Sequence, residues 1–271
     1  MSGRMRRTLG ALSLLIVAAL AGRAEAQTGA VAKELAPTGK LRVGIAVAPS
    51  PSAFFAVKGE DGKPRGVSVA LGTALAEKLG VPVEFVVYPN SGALTEAAES
   101  GAWDVSFMPV DDERRKKVEF GAAYNRFDST YLVRAGSPVQ TLAELDKEGM
   151  RLLGVENTTT IRAAQRSLKV AKVTPVRTVD EAVELIRTGK ADAVALSRNT
   201  LLGLAAKLPG TRILEGHFHA TSTAVALPKN RAAALAHVSA FVEEAKASGL
   251  VRRAFDDVGL KDAIVAEPGA R

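Results

Sequence analysis

Two stretches of this chain repeat one arrangement 88 residues apart. In each, a helical pattern ends on a glycine, and three residues later an aspartate opens a short apolar run. The first is Gly101-Ala102-Trp103-Asp104 followed by Val105-Ser106-Phe107-Met108. The second is Gly189-Lys190-Ala191-Asp192 followed by Ala193-Val194-Ala195-Leu196. Glycine supplies the left-handed residue that closes a helix. The apolar run after it suits a buried strand and is too short for a helix. One such junction can arise in any chain that alternates helix and strand; two suggest two lobes of related design.

The sequence around them alternates in the same way. Residues 41–47 read as a strand. Val67, Leu71, Leu75 and Leu79 recur every fourth residue and share one helix face, which Gly80 and Pro82 bring to a stop. Strands are expected at 83–88, 104–108, 152–156, 173–176, 192–196 and 223–227. Helices are expected at 94–100, 161–168 and 232–247. Thr141 with Glu144 and Thr178 with Glu181 have capping-box spacing and should start helices at 142–148 and after 178. This order predicts an α/β protein with mostly parallel sheets covered by helices. The first lobe is expected over 27–134, the second over 135–222, with a return to the first over 223–271. Gly136 and Pro138 are expected at the boundary. Strand ends and helix N-termini then face the cleft between the lobes, where α/β folds bind ligands.

The ends and composition set the compartment. Arg4, Arg6 and Arg7 precede an apolar run over 9–20, and Ala24-Glu25-Ala26 offers small residues at the −3 and −1 positions before Gln27. This is the layout of a cleavable signal peptide over 1–26, hence of a periplasmic protein; the run is short for a bilayer span. The chain has no cysteine, which excludes disulfides and thiolate metal sites. Formal charge is +7, but the leader holds four arginines against one glutamate, so the remainder is only mildly basic. Such a balance suits small anions. Scattered lysines and arginines, with one Trp and three Tyr, argue against nucleic acid. His217 and His219 share a strand face but lack a third ligand, so no metal or cofactor is expected.

One block carries a family likeness. It runs Asp104-Val105-Ser106-Phe107-Met108-Pro109-Val110-Asp111-Asp112-Glu113-Arg114, then Val118-Glu119-Phe120-Gly121-Ala122-Ala123-Tyr124. It resembles the middle signature of family 3 bacterial extracellular solute-binding proteins, the amino-acid-type receptors of ABC importers. Asp61-Gly62-Lys63-Pro64-Arg65-Gly66 and Gly154-Val155-Glu156-Asn157-Thr158-Thr159 agree in order and spacing. The resemblance implies a type II periplasmic binding protein fold, two lobes joined by two crossing hinge segments, which closes on a small ligand like a Venus flytrap. It also implies ABC transporter membrane subunits as partners, a monomer, and no catalysis.

The same resemblance places Arg114 where the family binds a carboxylate, a task its planar charged fork suits. Asn157, Thr158, Thr159 and Thr160 lie between a strand and a helix, where backbone N–H groups point at an anion. Phe54 is expected as an aromatic wall, with Phe55 assigned to the core. Asn90 follows the second strand, and Met108 and Pro109 would line the site with backbone. Departures from the family pattern also matter. Ser197 stands where amino-acid receptors place an acid for the ligand's ammonium group, Asp111 replaces a frequent Thr, and Ser68 replaces an acid after Gly66. The expectation is a carboxylate or similar oxyanion ligand without an obligatory ammonium group. The competing expectation is a periplasmic dehydratase resembling cyclohexadienyl dehydratase, with Asp111 as the acid to watch; by its position Asp111 also suits a turn or a helix cap.

Overall fold

The two repeated cassettes fold alike. Gly101 and Gly189 take left-handed φ angles of 66° and 69°. The Asp104 carboxylate accepts from the Arg42 amide at 3.1 Å, from its Nε at 2.9 Å and from its Nη2 at 2.7 Å. The Asp192 carboxylate accepts from the Arg151 amide at 3.1 Å, from its Nε at 3.0 Å and from its Nη2 at 2.7 Å. Each fork ties the start of the cassette strand to the start of its parallel neighbour. The same planar, bidentate solution appears once per lobe.

The computed structural model describes residues 29–47 and 53–271; the leader expected over 1–26 lies outside the described residues. The elements run β1 (Leu41–Ala46), β2 (Val57–Lys58), β3 (Pro64–Arg65), α1 (Val67–Leu79), β4 (Val83–Tyr88), α2 (Ser91–Glu96), β5 (Val105–Pro109), α3 (Asp112–Arg115) and β6 (Val118–Val133). They continue with β7 (Leu152–Val155), α4 (Thr159–Ser167), β8 (Val173–Val176), α5 (Val179–Arg187), β9 (Ala193–Ser197), α6 (Arg198–Ala205), β10 (Arg212–Ile213), β11 (His219–Pro228), α7 (Ala232–Ala247), α8 (Leu250–Asp256) and β12 (Ile264–Val265).

The main strand order is β4-β1-β5-β11-β6-β9-β7-β8. β4, β1 and β5 are parallel, as are β9, β7 and β8. Between these trios lie β11 and the 16-residue β6, antiparallel to each other and to the trios. β6 pairs with β11 from Val118 to Ser129 and with β9 from Ser129 to Val133. The chain therefore changes lobe inside β6 and again at the start of β11.

That change comes earlier than the boundary expected beyond Arg134. Tyr131, Leu132 and Val133 pack in the second lobe's clusters. Buried clusters of the first lobe draw on residues 31–127 and 224–266, and those of the second on 131–214. Two separate cores joined by two strands are what a two-lobed hinge protein requires.

Local signals explain most elements. α1 buries Val67, Leu71 and Leu75, and Gly80 caps it at φ 68°, with its amide donating to Ala76 O and Glu77 O. Thr178 accepts from the Glu181 amide at 3.1 Å and caps the helix as expected, while Glu181 reaches back one residue further, to the Arg177 amide at 2.8 Å, instead of the Thr178 amide that a full capping box would use. The helix expected at 142–148 is only one 3-10 turn, Ala143–Leu145. There Glu144 reaches back to the Gln140 amide at 2.8 Å. Asp146 ends the turn and accepts from the amides of Lys169, Val170 and Ala171 instead. Among the described residues no helix is long and apolar enough to cross a membrane.

Candidate functional site

Four helices begin at one cavity of about 110 Å3 between the lobes. Each start is fixed by a short polar cap, as expected for side chains that compete for backbone N–H groups. Asn90 accepts from the Ala93 amide at 2.9 Å and starts α2. Thr158 accepts from the Ile161 amide at 3.2 Å and starts α4. Thr178 starts α5. Ser197 accepts from the Thr200 amide at 3.3 Å, contacts the Thr200 hydroxyl at 2.8 Å, and starts α6. The remaining first-turn amides have no partner inside a helix, and the helix dipoles place partial positive charge on the cavity.

Ala46, Phe55, Pro89, Ser91, Pro109 and Phe127 complete the first-lobe wall. Val155, Thr159, Thr160, Arg177, Val179, Leu196 and Thr200 complete the second. Among the described residues no acid occurs in this lining, and the one charged residue there is Arg177, which is exposed. The arrangement offers hydroxyls, free amides and positive potential around an apolar body.

Of the residues expected at a ligand, Thr158, Thr159, Thr160, Pro109, Ser197 and Asn90 line the cavity. Phe54 does not. It is fully buried in the first-lobe core, with ring centroids 4.8, 5.5 and 5.7 Å from Phe55, Phe127 and Phe255. Phe55 takes the cavity face instead, reversing the expected roles. Met108 is buried behind the wall, where its sulfur accepts from the Thr95 hydroxyl at 3.7 Å. Asn157 is exposed, holds a left-handed φ of 58°, and lies against the other lobe. A Cβ on Gly92 would sit 2.4 Å from the Asn157 Cβ, so only glycine fits that lobe contact.

Arg114 also stands behind the lining rather than in it. Its residue is 2% exposed. Nη1 donates to Pro109 O at 2.8 Å and Nη2 to the Ser91 hydroxyl at 2.7 Å. Burial pushes its guanidinium down to about 10, against the support of Asp111, and it remains cationic at neutral pH. Asp111 caps α3 by accepting from the Arg114 amide at 2.9 Å. Its other oxygen accepts from the Thr159 hydroxyl at 2.5 Å and from Arg162, both in the second lobe, and lies 3.7 Å from Arg114 Nε. Burial works to raise this carboxyl. The bonds from Thr159 and the Arg114 amide, with the guanidiniums of Arg114 and Arg162, outweigh it and hold the carboxyl below its ordinary range.

Several lining residues escaped the sequence reading. Thr178 carried a legible signal, since its capping-box spacing marks a helix start just as Thr158 does. Phe127 carried none, because it sits mid-way along β6 between exposed Arg126 and half-buried Asp128, with no cap or turn signature to mark it. His217 lies 3.5 Å from the Asp128 carboxylate, and no group of three metal-ligating side chains occurs among the described residues.

Residues 41–257 match the model of the bacterial extracellular solute-binding proteins, family 3. The chain belongs to this family. Among curated family relatives, an ABC transporter glutamine-binding protein of Bacillus subtilis is 24% identical over 54% of this chain, a match that spans only about half of that relative (53%). A glutamine-binding protein of Geobacillus stearothermophilus is 25% identical over 78% of this chain and 87% of its own. Among solved structures, a mutant of ArgBP from T. maritima superposes with TM-score 0.74 at 25% identity, covering 84% of this chain and 99% of that one. An ancestral amino acid-binding protein, described as a precursor of cyclohexadienyl dehydratase, gives TM-score 0.73 at 27% identity, covering 83% and 98%. These neighbours have the type II periplasmic binding protein fold, and this family member shares it.

Proposed function

We propose that this protein captures a small solute bearing a carboxylate or similar oxyanion, without an obligatory ammonium group, by closing its lobes on the cavity. The observation that carries this reading is the composition of the lining: four helix starts and Arg177, with no acid among the described residues. An oxyanion gains from free amides and positive potential. An ammonium group buried there would lack a counter-charge, and burying an unpaired cation is costly. Ser197 offers only a hydroxyl where an amino-acid receptor would present a carboxylate. In this reading Thr158, Thr159, Thr160, Asn90, Ser197 and Arg177 touch the solute, and Phe55 packs against its apolar part.

The same reading extends to a wider role, which the family match supports. The protein is exported behind a leader over 1–26, acts in the periplasm as a monomer, and delivers its solute to ABC transporter membrane subunits. The lobes meet across β6 near Ser129 and β11 near His219. A dehydratase on this fold would need a proton donor at the solute. Asp111, the nearest candidate, is held ionised between two guanidiniums, which suits an ion pair rather than proton donation. A thermal-shift screen of organic acids against amino acids tests the reading. Stabilisation by unaminated carboxylates is expected. Stabilisation by amino acids alone overturns it, and turnover of prephenate or arogenate would restore the enzyme.

A further inference from the structure

Two features that attract a carboxylate flank one point between the lobes: the buried Arg114 guanidinium in the first and the start of α4 in the second. The carboxylate between them belongs to the chain itself. Asp111 bonds the Arg114 amide at 2.9 Å, lies 3.7 Å from its Nε, takes the Thr159 hydroxyl at 2.5 Å and pairs with Arg162. We infer that Asp111 is a specificity-determining residue: its carboxylate occupies the place where a solute carboxylate would bridge Arg114 and α4, so the protein refuses α-amino acids that depend on that grip. The inference rests on the reading of the cavity as an oxyanion site and adds which oxyanions it excludes.

Three observations support it. The Arg114 side chain is 2% exposed and absent from the lining, and the Ser91 hydroxyl, which does line the cavity, takes its Nη2. A solute reaching for the guanidinium meets Ser91 first. Next, the Asp111 side chain is 9% exposed, so a second carboxylate at Arg114 would sit beside it with little water to screen the pair. Two carboxylates sharing one site do not both ionise readily. Finally, Asp111 cannot serve as the missing partner of an ammonium group, because two guanidiniums already claim it. The favoured solute keeps its carboxylate at the second-lobe helix starts and its apolar body against Phe55, Phe127 and Leu196.

The test uses Asp111→Asn and Asp111→Thr, both of which retain an oxygen acceptor for the α3 cap. Isothermal titration of wild type and both variants with L-glutamine and L-arginine reads the effect. Loss of the carboxylate should raise affinity for at least one of these amino acids by about tenfold or more, one pK unit of charge interaction being worth tenfold. Gain in either folded variant supports the inference, even if wild type binds no organic acid and the broader reading falls. Unchanged or weaker amino-acid binding in both variants overturns it, while leaving the oxyanion reading to stand on the organic-acid screen.

Discussion

Replacing Phe54 and Phe55 by alanine, one at a time, separates core from site. The two rings are neighbours, 4.8 Å apart between centroids, yet Phe54 is fully buried and Phe55 half-buried on the cavity. Truncating a fully buried Phe costs about 3–5 kcal/mol, from lost transfer energy and the cavity left behind. At roughly 2–4 °C per kcal/mol for a protein of this size, Phe54→Ala should lower Tm by about 6–20 °C. Phe55→Ala removes less buried area and should cost about 1 kcal/mol of stability. Losing its face against a solute should weaken binding by about tenfold, near 1.4 kcal/mol. Scanning fluorimetry of the unliganded variants and titration with a stabilising solute measure both effects. A Phe54→Ala protein that melts like wild type but fails to bind would refute the placement of that ring.

The two cassette aspartates predict unequal losses from the same fork. Asp104→Ala removes a fully buried carboxylate that serves Arg42 and lies 3.6 Å from Arg231, and should cost about 3 kcal/mol in urea unfolding. Asp192→Ala, where the side chain is 15% exposed and Arg151 half exposed, should cost clearly less. Gly92→Ala pushes a methyl into Asn157 of the opposite lobe, so small-angle scattering should show a larger radius of gyration and titration a weaker solute, with little change in Tm. Acid should destabilise in two stages. His219 and His237 are lowered chiefly by burial, so their neutral forms favour folding above the unfolded value near 6.5, a contribution lost as pH falls through their folded values. Arg166 and His217 oppose the His219 charge and Asp111 supports it. Asp111, facing Arg114, Arg162 and His219, is depressed, so its contribution is present above about 4 and disappears further down. Melting temperatures from pH 8 to 3 follow both stages, and a curve flat from pH 7 to 5 would contradict the first.

Periodicity exposed most of the scaffold because each helix of a parallel α/β unit shows one apolar face and each buried strand a short apolar run. β6 stayed hidden for a physical reason. From Phe120 to Asn125 it is buried on both faces, and Asn125, Arg126 and Asp128 interrupt it with polar side chains, so neither alternation nor a continuous run appears. The change of pairing partner inside β6 at Ser129 was hidden with it. The capping box at Thr141 promised a helix, but no apolar face follows it, and local side-chain bonds left a single turn. At the site, residues that cap helices were legible because a cap has a sequence signature. Which of Phe54 and Phe55 faces the cavity was not, since the run of alternating directions stops with β1 at Ala46. Asp111 announced itself only as a cap three residues before Arg114. Its bonds to Thr159 and Arg162 span 48 and 51 positions, and no local pattern encodes a contact between lobes.

Titration with matched pairs bears most directly on the proposed specificity: 3-methylbutanoate against L-valine, and 4-methylpentanoate against L-leucine, each pair differing only by the amino group. A lining without acids predicts that the unaminated member of a pair binds wild-type protein more tightly, with one solute per chain. An amino acid that binds more tightly than its unaminated counterpart would contradict that account.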